Sequence, residues 1–390
     1  MKKFIQYLDE HSKKEFQTEN DCITLIHQIN NNYHFHNIGP KSYFIPMTME
    51  HQSAYSAWQK QYEANIKTMD DKIKEKKLIE ANIETIDDII KIIEENPYDH
   101  NYEYNIDLKV LHNIYDELKK INAMIGLHTL KKSIVDQLLY FIQKLHIGNH
   151  GDFKHTVLSG PPGTGKTEIA KLLGLLYSKI GVLKNTSFQK VTRGDLIAGY
   201  LGQTAIKTQK VIEKSIGGVL FIDEAYSLAD YSQNDSFSKE CIDTICEALS
   251  DHKDDLMVII AGYEEELNET FFKMNKGLES RFIWRFKMDP YSLMELKYIF
   301  MKKISENDWT LETDIPNQWF EKKIKTFIHY GRDMEALFTY TKISHGRRIY
   351  GKPMEHRKKI SLNDLDKGYD IFIKNKNIKE NNNVVLNMYI

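Results

Sequence analysis

Two short segments carry side chains whose types and spacing suit the binding of phosphate groups and a divalent metal ion. Residues 160–167 read GPPGTGKT and match the pattern G-x-x-x-x-G-K-[ST]. Glycines let a backbone curl until its N–H groups surround phosphate oxygens, and the N-terminus of a following helix adds positive potential. Lys166 could then reach the β- and γ-phosphates, and the Thr167 hydroxyl could bind Mg²⁺. The pattern therefore predicts a site for a nucleoside triphosphate.

The second segment, GVLFIDEAY at residues 218–226, is an apolar run that ends in two acids. Such a run predicts a buried strand, whose carboxyl end lies at the edge of the sheet where α/β proteins bind ligands. Asp223 would hold Mg²⁺ through water, and Glu224 would orient and polarise an attacking water molecule. A pair of acids at a strand end can also be merely solvated. The glycine-rich segment upstream favours the catalytic interpretation.

Alternating strands and helices are predicted around these two segments. Short apolar runs, separated by helical patterns, lie at residues 155–159, 187–191, 218–223, 256–261 and 282–288. This alternation predicts an α/β fold with a parallel sheet, in which the glycine-rich segment joins the first strand to a helix. Beyond Pro290 the signals are helical until about residue 374. Residues 375–390 are polar and asparagine-rich, which predicts a flexible tail.

The N-terminal 113 residues have a different pattern. Apolar residues recur at spacings of three and four from Tyr55 to Ile93, and Pro97 follows. This stripe predicts one long helix or a helical hairpin within a mainly helical N-terminal extension, serving core or oligomer packing.

Composition excludes several classes of protein. The chain has 390 residues, a net charge of −2 and three cysteines, too few for a disulfide framework or a zinc site. Its N-terminus does not resemble a signal peptide, and no stretch is apolar enough to span a bilayer. We therefore expect a soluble, cytoplasmic protein of a reducing compartment, without a membrane partner. The charge does not favour a nucleic-acid partner, but a local basic face remains open.

Further motifs extend the resemblance to a known family. They are MIGLHTLKK at 124–132, GYLGQTAIKT at 199–208, LFIDEAYSL at 220–228, VIIAGYEEEL at 258–267, GLESRF at 277–282 and YGRDMEALFTYTKI at 330–343. With the glycine-rich segment, they follow the order and spacing of the CbxX/CfxQ family of AAA+ ATPases, which the chain resembles over residues 114–374. The resemblance implies a nucleotide-binding α/β subdomain at 114–290, a five-stranded parallel sheet between helices, and a helical lid at 291–374.

The resemblance also implies roles for individual residues. The loop that binds ATP would comprise Gly160, Pro161, Pro162, Gly163, Thr164, Gly165, Lys166, Thr167 and Glu168, with Ile125 and Gly126 touching adenine. Arg281 matches an arginine finger that enters the ATP site of a neighbouring subunit, and Arg332 matches the sensor 2 arginine of the lid. Ordinary ion pairs are the alternative for both. Tyr263 stands where many AAA+ proteins have an asparagine or threonine as sensor 1, so simple packing is equally open for it.

The activity that the resemblance implies is Mg²⁺-dependent ATP hydrolysis by a homo-oligomeric, hexameric ring that pulls a polypeptide client. Tyr200, Leu201 and Gly202 match the loop that lines the central pore of such rings. A tyrosine folded back onto its own domain is the alternative for Tyr200. Two other functions stay open: a nucleic-acid motor or a replication or packaging factor on the same ATPase module, and an assembly scaffold with nucleotide as a switch. The intact Glu224 argues against the scaffold.

Overall fold

The computed structural model describes residues 75–147, 152–200, 202–229 and 236–387, and the side chains of the last helix as far as residue 376. The first half of the apolar stripe, residues 55–73, lies outside the described residues. Two compact units divide the chain: residues 1–80 with 98–106, and residues 81–97 with 107–390.

Two short parallel strands are the described elements of the first unit. Strand β1 (Glu75–Lys77) pairs with β2 (Tyr102–Tyr104). The Asn105 side chain adds two hydrogen bonds to the backbone of Ile79, of 2.8 and 3.0 Å. The segment after Pro97 thus contains a strand, because its backbone groups pair with residues far away in the sequence.

Helix α1 (Ile86–Glu95) opens the second unit and contains only part of the predicted stripe. Thr85 begins it, since its hydroxyl accepts from Asp88 N–H while the Asp88 carboxylate accepts from Thr85 N–H. Ile79 precedes this cap. The prediction of a helix running through Ile79 was therefore wrong, whereas the part from Ile86 is helical and buries its isoleucines.

The α/β part of the second unit contains five strands and ten helices among its described residues. The strands are β3 (Thr156–Ser159), β4 (Phe188–Val191), β5 (Val219–Ile222), β6 (Met257–Gly262) and β7 (Trp284–Lys287). The helices are α2 (Leu108–Asn113), α3 (Tyr115–Asn122), α4 (His128–Ile142), α5 (Lys166–Lys179), α6 (Arg193–Leu196), α7 (Thr204–Ser215), α8 (Ser236–Asp251), α9 (Glu264–Glu266), α10 (Phe272–Met274) and α11 (Gly277–Arg281). A 3₁₀ turn (Ala225–Leu228) follows β5, and a π-helical turn (Leu267–Phe271) joins α9 to α10.

All five strands are parallel, in the order β4-β5-β6-β3-β7, which confirms the predicted fold class. β3, β5 and β6 are buried along their whole length, as expected for strands with helices on both faces. The connection that leaves β3 leads to β4 at one edge of the sheet, whereas the connection that leaves its neighbour β6 leads to β7 at the other edge, so the direction of the connections reverses between β3 and β6. Ligand sites of open α/β sheets lie at the carboxyl ends of strands where this reversal occurs.

The C-terminal part is mainly helical, with helices α12 (Leu293–Glu306), α13 (Asn317–Glu321), α14 (Tyr330–Ile349) and α15 (Leu362–Asn387). Their core is aromatic, with Phe300, Phe320, Phe327 and Phe338 buried. Among the contacts that join α14 to α15 is a partly buried ion pair, in which Arg348 Nε lies 2.8 Å from Asp364 Oδ1. The predicted division into a nucleotide-binding subdomain ending near 290 and a lid ending near 374 stays a prediction.

Two details of this part differ from the sequence-based expectation. Strands β8 (Thr310–Leu311) and β9 (Lys359–Ile360) pair in a region where no strand was predicted. Helix α15 continues past residue 374 to Asn387, into the segment predicted as a flexible tail. Asparagine is a weak helix former, but no proline or glycine follows Gly368 to interrupt the helix.

Candidate nucleotide-binding site

The glycine-rich loop at residues 160–165 joins β3 to α5 and contacts the elements on either side of it. Gly160 N–H donates to Gly262 O at the end of β6 (3.1 Å). Gly331 N–H, at the start of α14, donates to Gly163 O (3.1 Å). The loop is thereby tied to the sheet and to the helical C-terminal part.

Gly163 occupies a position that only glycine fits. Its φ is +75°, a conformation that side-chain-bearing residues rarely adopt. A Cβ atom there would lie 2.1 Å from His329 O, and a backbone oxygen cannot rotate away as a side chain can. The curled loop that the sequence predicts therefore depends on the absence of a side chain at this position.

Lys166, the first residue of α5, points back into the loop. Its Nζ donates to the carbonyl oxygens of Gly160 and Pro161, both at 2.8 Å. Burial lowers the pKa of Lys166 to about 8, although the nearby Asp223 carboxylate opposes the shift. Phosphate oxygens are stronger acceptors than carbonyls, so the same ammonium group is suited to bind them.

A cavity of about 430 Å³ lies beside the loop and contains most of the predicted catalytic residues. Residues from five separate parts of the sequence meet there: the loop and α5, the end of β5, the end of β6, α12, and the start of α14. The predicted site residues that line it are Pro162, Gly163, Gly165, Lys166, Thr167, Glu168, Asp223, Glu224 and Arg332. The structure thus brings both acids and Arg332 to the phosphate-binding loop.

Glu224 has a strained backbone. Its φ of +53° and ψ of +49° are left-handed, which costs a residue with a side chain roughly 1–2 kcal/mol. The following 3₁₀ turn begins here, and Ser227 N–H donates to Glu224 O (2.8 Å). Strain of this kind concentrates at functional sites, where the surrounding structure maintains it. The backbone conformation therefore supports the prediction that Glu224 acts on a reacting group.

Asp223 and Thr167 provide the oxygen ligands that a Mg²⁺ ion prefers. The described residues contain no cluster of three or more histidine, cysteine, aspartate or glutamate side chains suited to a metal ion. Mg²⁺ usually takes only one or two protein oxygens and completes its shell with phosphates and water. One carboxylate and one hydroxyl beside a phosphate-binding loop fit that requirement.

Two tyrosines line the same cavity. The Tyr263 ring lies 5.7 Å from Lys166 Nζ and 5.7 Å from the Tyr226 ring. Burial, followed by the charge of Glu224, raises the pKa of Tyr226 to about 12, so its hydroxyl stays a hydrogen-bond donor. Tyr263 thus both packs on a neighbour and borders the phosphate cavity. Tyr226 was missed from the sequence, although its position two residues after Glu224 could have indicated it.

A second cavity, of about 640 Å³, suits an apolar ring. Met124, Ile125, Leu172, Tyr291 and Ile299 line it, together with residues of the glycine-rich loop. Ile125 lines this cavity, and its contact with adenine stays a prediction. Gly126 is not among the lining residues, and a Cβ on it would lie 2.2 Å from Glu295 Oε1, so its adenine contact stays a prediction.

Arg281 lies away from both cavities of its own chain. Arg281 precedes β7, whereas the glycine-rich loop follows β3. Because β3 and β7 are parallel neighbours, Arg281 lies at the amino ends of the strands and the loop lies at their carboxyl ends. Its Nε donates to Ser250 Oγ (2.8 Å) and its NH1 group to Gly277 O (2.7 Å). Both hydrogen-bond acceptors of Arg281 are uncharged, a hydroxyl and a carbonyl. This does not support the alternative in which Arg281 forms an ordinary ion pair.

Tyr200 projects from the protein surface with 74% of its area exposed. An added Cβ at Gly199 or Gly202 would meet nothing within 4 Å, and φ at Gly202 is +77°. Leu201 lies outside the described residues. The exposure of Tyr200 contradicts the alternative in which its ring covers its own domain.

The base of this loop, in contrast, is held by several hydrogen bonds. Lys207 Nζ donates to Gly194 O (2.6 Å) and Ile197 O (2.8 Å). An NH1 group of Arg193 donates to Ser227 O (2.7 Å), in the 3₁₀ turn that follows Glu224. The exposed tyrosine is therefore connected to the acid pair through a short chain of contacts.

Comparisons with known proteins give results in line with this site. Residues 156–284 match the AAA family, the "ATPase family associated with various cellular activities". A cfxQ-like protein of Acanthamoeba polyphaga mimivirus, R730, is 39% identical over 290 residues, which span 73% of this chain and 71% of the viral protein. Stage V sporulation protein K of Bacillus subtilis is 34% identical over 246 residues, covering 61% of this chain and 73% of that protein.

Shorter matches extend to other proteins. The ESX-1 secretion system protein EccA1 of Mycobacterium tuberculosis is 42% identical over 145 residues, only 25% of its own length. Among solved structures, the AAA domain of FIGL-1 in complex with ADP aligns with a TM-score of 0.46 and 20% identity, over 64% of this chain and 83% of that one. Within the part of the chain that the structure describes, none of the helices combines the length and hydropathy needed to cross a membrane. The relationship to the cfxQ-like protein, together with the glycine-rich loop and the acid pair, shows that the chain belongs to the CbxX/CfxQ-type AAA+ ATPases.

Proposed function

We propose that this protein hydrolyses ATP in a Mg²⁺-dependent reaction and uses the energy, as a hexameric ring, to pull a polypeptide client. The single observation that carries the pulling function is Tyr200. A tyrosine with 74% of its area exposed stands on a loop whose base is connected to the turn after Glu224. A large ring with an apolar face can grip many polypeptide sequences, and its hydroxyl tolerates water between grips.

The residues around the phosphate cavity divide the chemistry among themselves. Lys166 and the N–H groups of the loop would bind the phosphates, and Arg332 would contact the γ-phosphate from the lid. When bound at Thr167 and Asp223, Mg²⁺ would neutralise charge on the phosphates. Glu224 would orient and polarise the attacking water.

Arg281 would complete this chemistry in a neighbouring subunit. Charge on the γ-phosphoryl group needs an additional donor, and Arg281 lies at the opposite end of the strands from its own phosphate cavity. A residue of one subunit that serves the site of the next requires head-to-tail contacts, and such contacts form a ring when the rotation between subunits closes.

Substitution of Glu224 tests the ATPase part. We expect Glu224→Gln to bind ATP with Mg²⁺ normally and to hydrolyse it at least about 100-fold more slowly. Glu265→Gln is the matched control, because Glu265 is an exposed glutamate outside the cavity lining. Hydrolysis by Glu224→Gln at the rate of the control would show that the base has been misassigned.

Mixing of variants tests the action of Arg281 between subunits. Arg281→Ala should bind ATP and lose hydrolysis by about 10³-fold, and Lys166→Ala should fail to bind. A mixture of the two should regain part of the activity, because some interfaces then pair an intact site with an intact Arg281. If subunits shown to co-assemble recover no ATP hydrolysis, Arg281 acts on the ATP site of its own subunit.

A binding comparison tests the class of client. Glu224→Gln loaded with ATP should retain fluorescently labelled casein, a permanently unfolded polypeptide, and Tyr200→Ala in the same background should not. Retention of a labelled single-stranded oligonucleotide instead of casein would support the nucleic-acid motor.

A further inference from the structure

Lys190 forms a close ion pair with the carboxylate that we assign to Mg²⁺. It lies on β4 beside β5, and its Nζ is 2.6 Å from Asp223 Oδ2. The backbone fixes the geometry of this approach, because Val191 pairs with Ile222 and Asp223 N–H donates to Val191 O (3.0 Å).

The ion pair is not needed to join the two strands. The backbone ladder already links β4 to β5 along their whole length. Both partners retain contact with solvent, since the Lys190 side chain is 46% exposed and that of Asp223 is 21% exposed. A pair of this exposure contributes little to folding, so its location matters more than its strength.

The location brings two cations into competition for one carboxylate. An ammonium group at 2.6 Å neutralises the charge that Asp223 would offer to a metal ion. Asp223 adjoins Glu224, so without a cation the strand end would carry two neighbouring negative charges. Lys190 weakens that repulsion, and its exposed side chain can swing into solvent when another cation arrives.

We propose that Lys190 is a built-in counter-cation of Asp223 that Mg²⁺ must displace, and that it thereby sets the Mg²⁺ concentration at which nucleotide binds. The inference rests on the proposed role of Asp223 as the magnesium carboxylate. Removing the lysine charge lowers the Mg²⁺ concentration needed for half-maximal nucleotide binding. The expected decrease is about two- to fivefold, the upper part of the range for an exposed charge pair.

The experiment measures binding of fluorescently labelled ADP to the full-length protein while Mg²⁺ is titrated, so no turnover is involved. Lys190→Met removes the charge and keeps the length of the side chain, and Lys190→Arg keeps the charge. Lys184→Met is the matched control, since Lys184 pairs with Asp255 at 3.1 Å with side-chain exposures of 72% and 23%, away from the cavity. Lys190→Met should lower the half-saturating Mg²⁺ concentration, whereas Lys190→Arg and Lys184→Met should leave it within twofold of wild type.

Asp223→Asn separates failure of this inference from failure of the proposed metal site. If Asp223→Asn raises the Mg²⁺ requirement while Lys190→Met leaves it unchanged or raises it, the displacement role of Lys190 is wrong and the metal site stands. If Asp223→Asn has no effect on the Mg²⁺ requirement, the metal assignment and the inference both fail. Thermal melting of each variant verifies folding, and Lys190→Gln replaces Lys190→Met in the titration if the latter does not fold.

Discussion

Two glycine-rich loops of this protein use glycine for different physical reasons. In the loop at residues 160–165 the chain is enclosed, and a Cβ on Gly163 would lie 2.1 Å from a backbone oxygen. In the loop around Tyr200, a Cβ on Gly199 or Gly202 would meet no atom within 4 Å. The first loop requires glycine because the folded structure leaves no room for a side chain. The second has room on every side, and its glycines give it freedom to move.

Glycine thus serves an enclosed loop, where a side chain has no room, and an open loop, where it has room. The enclosed loop holds its backbone N–H groups in place, as a phosphate-binding site requires. The open loop is held at its base by Arg193 and Lys207, and it presents a ring to solvent. Variants of the two loops should therefore differ in which property they lose.

The largest effect is expected from removing the cation of the enclosed loop. Lys166→Ala should weaken ATP binding by roughly 10²- to 10³-fold, because the phosphates lose two or more charge-assisted hydrogen bonds. Calorimetric titration with ATP measures it, with Lys207→Ala in α7, at the base of the open loop, as the control. An equal loss of ATP affinity in both variants would contradict the conclusion that the enclosed loop alone binds the phosphates.

The next largest effect is expected on stability, when a methyl group is added to a glycine of the enclosed loop rather than to one of the open loop. Gly163→Ala combines a collision with a strained φ and should lower the free energy of unfolding by roughly 3 kcal/mol. Gly199→Ala should change it by less than about 0.5 kcal/mol, since the added methyl faces solvent. Denaturant unfolding compares them directly. Similar stability of the two proteins would mean that the first loop is less enclosed than the structure shows.

A pH effect of about tenfold should belong to the enclosed loop alone. The pKa of Lys166 is lowered to about 8 by burial, so the unliganded protein loses this charge as pH rises through 8. Bound phosphates favour the ammonium form, so binding takes up a proton above pH 8, and the dissociation constant for ATP should rise about tenfold from pH 7 to pH 9. Lys166→Arg should flatten this profile, since a guanidinium stays charged. A flat wild-type profile would show that the pKa of Lys166 is not lowered.

The smallest effect on the fold is expected at Tyr200. Tyr200→Ala should alter the free energy of unfolding by less than about 0.5 kcal/mol and leave basal ATP hydrolysis within twofold of wild type, because the ring is 74% exposed. Capture of labelled casein in the Glu224→Gln background should nevertheless be lost. Melting temperature and hydrolysis are measured on the single variant. A large drop in melting temperature would mean that the ring supports the fold.

Local signals in the sequence were sufficient for the sheet and for the phosphate-binding loop. The apolar run predicted as a strand at residues 256–261 is observed as Met257–Gly262, and the loop between β3 and α5 lies where its glycines predict. Both features depend on neighbouring residues, either an unbroken apolar run or a fixed spacing of glycines. The sequence could therefore indicate them without reference to the rest of the chain.

Features that depend on distant residues could not be predicted. The contact of Lys190 with Asp223 exists only because β4 and β5 are adjacent in the sheet. Strands β8 and β9 are two residues each and are defined by their pairing across α13 and α14. The stripe through Ile79 had helical spacing, yet the cap at Thr85 determined where the helix begins. Spacing alone does not show where a cap or a partner strand will interrupt a pattern.

The hydrogen bond between Gly331 and Gly163 has a consequence for how this protein can evolve. Neither position has room for a side chain. A Cβ on Gly331 would lie 2.7 Å from Gly163 O, and one on Gly163 would lie 2.1 Å from His329 O. The bond joins two backbones, so no side-chain substitution elsewhere can replace it. The two positions are far apart in the sequence, yet a side chain at either one would collide with the backbone of the other segment. A lineage that lost either glycine would first have to move α14 away from the loop, and Arg332 would leave the cavity with it.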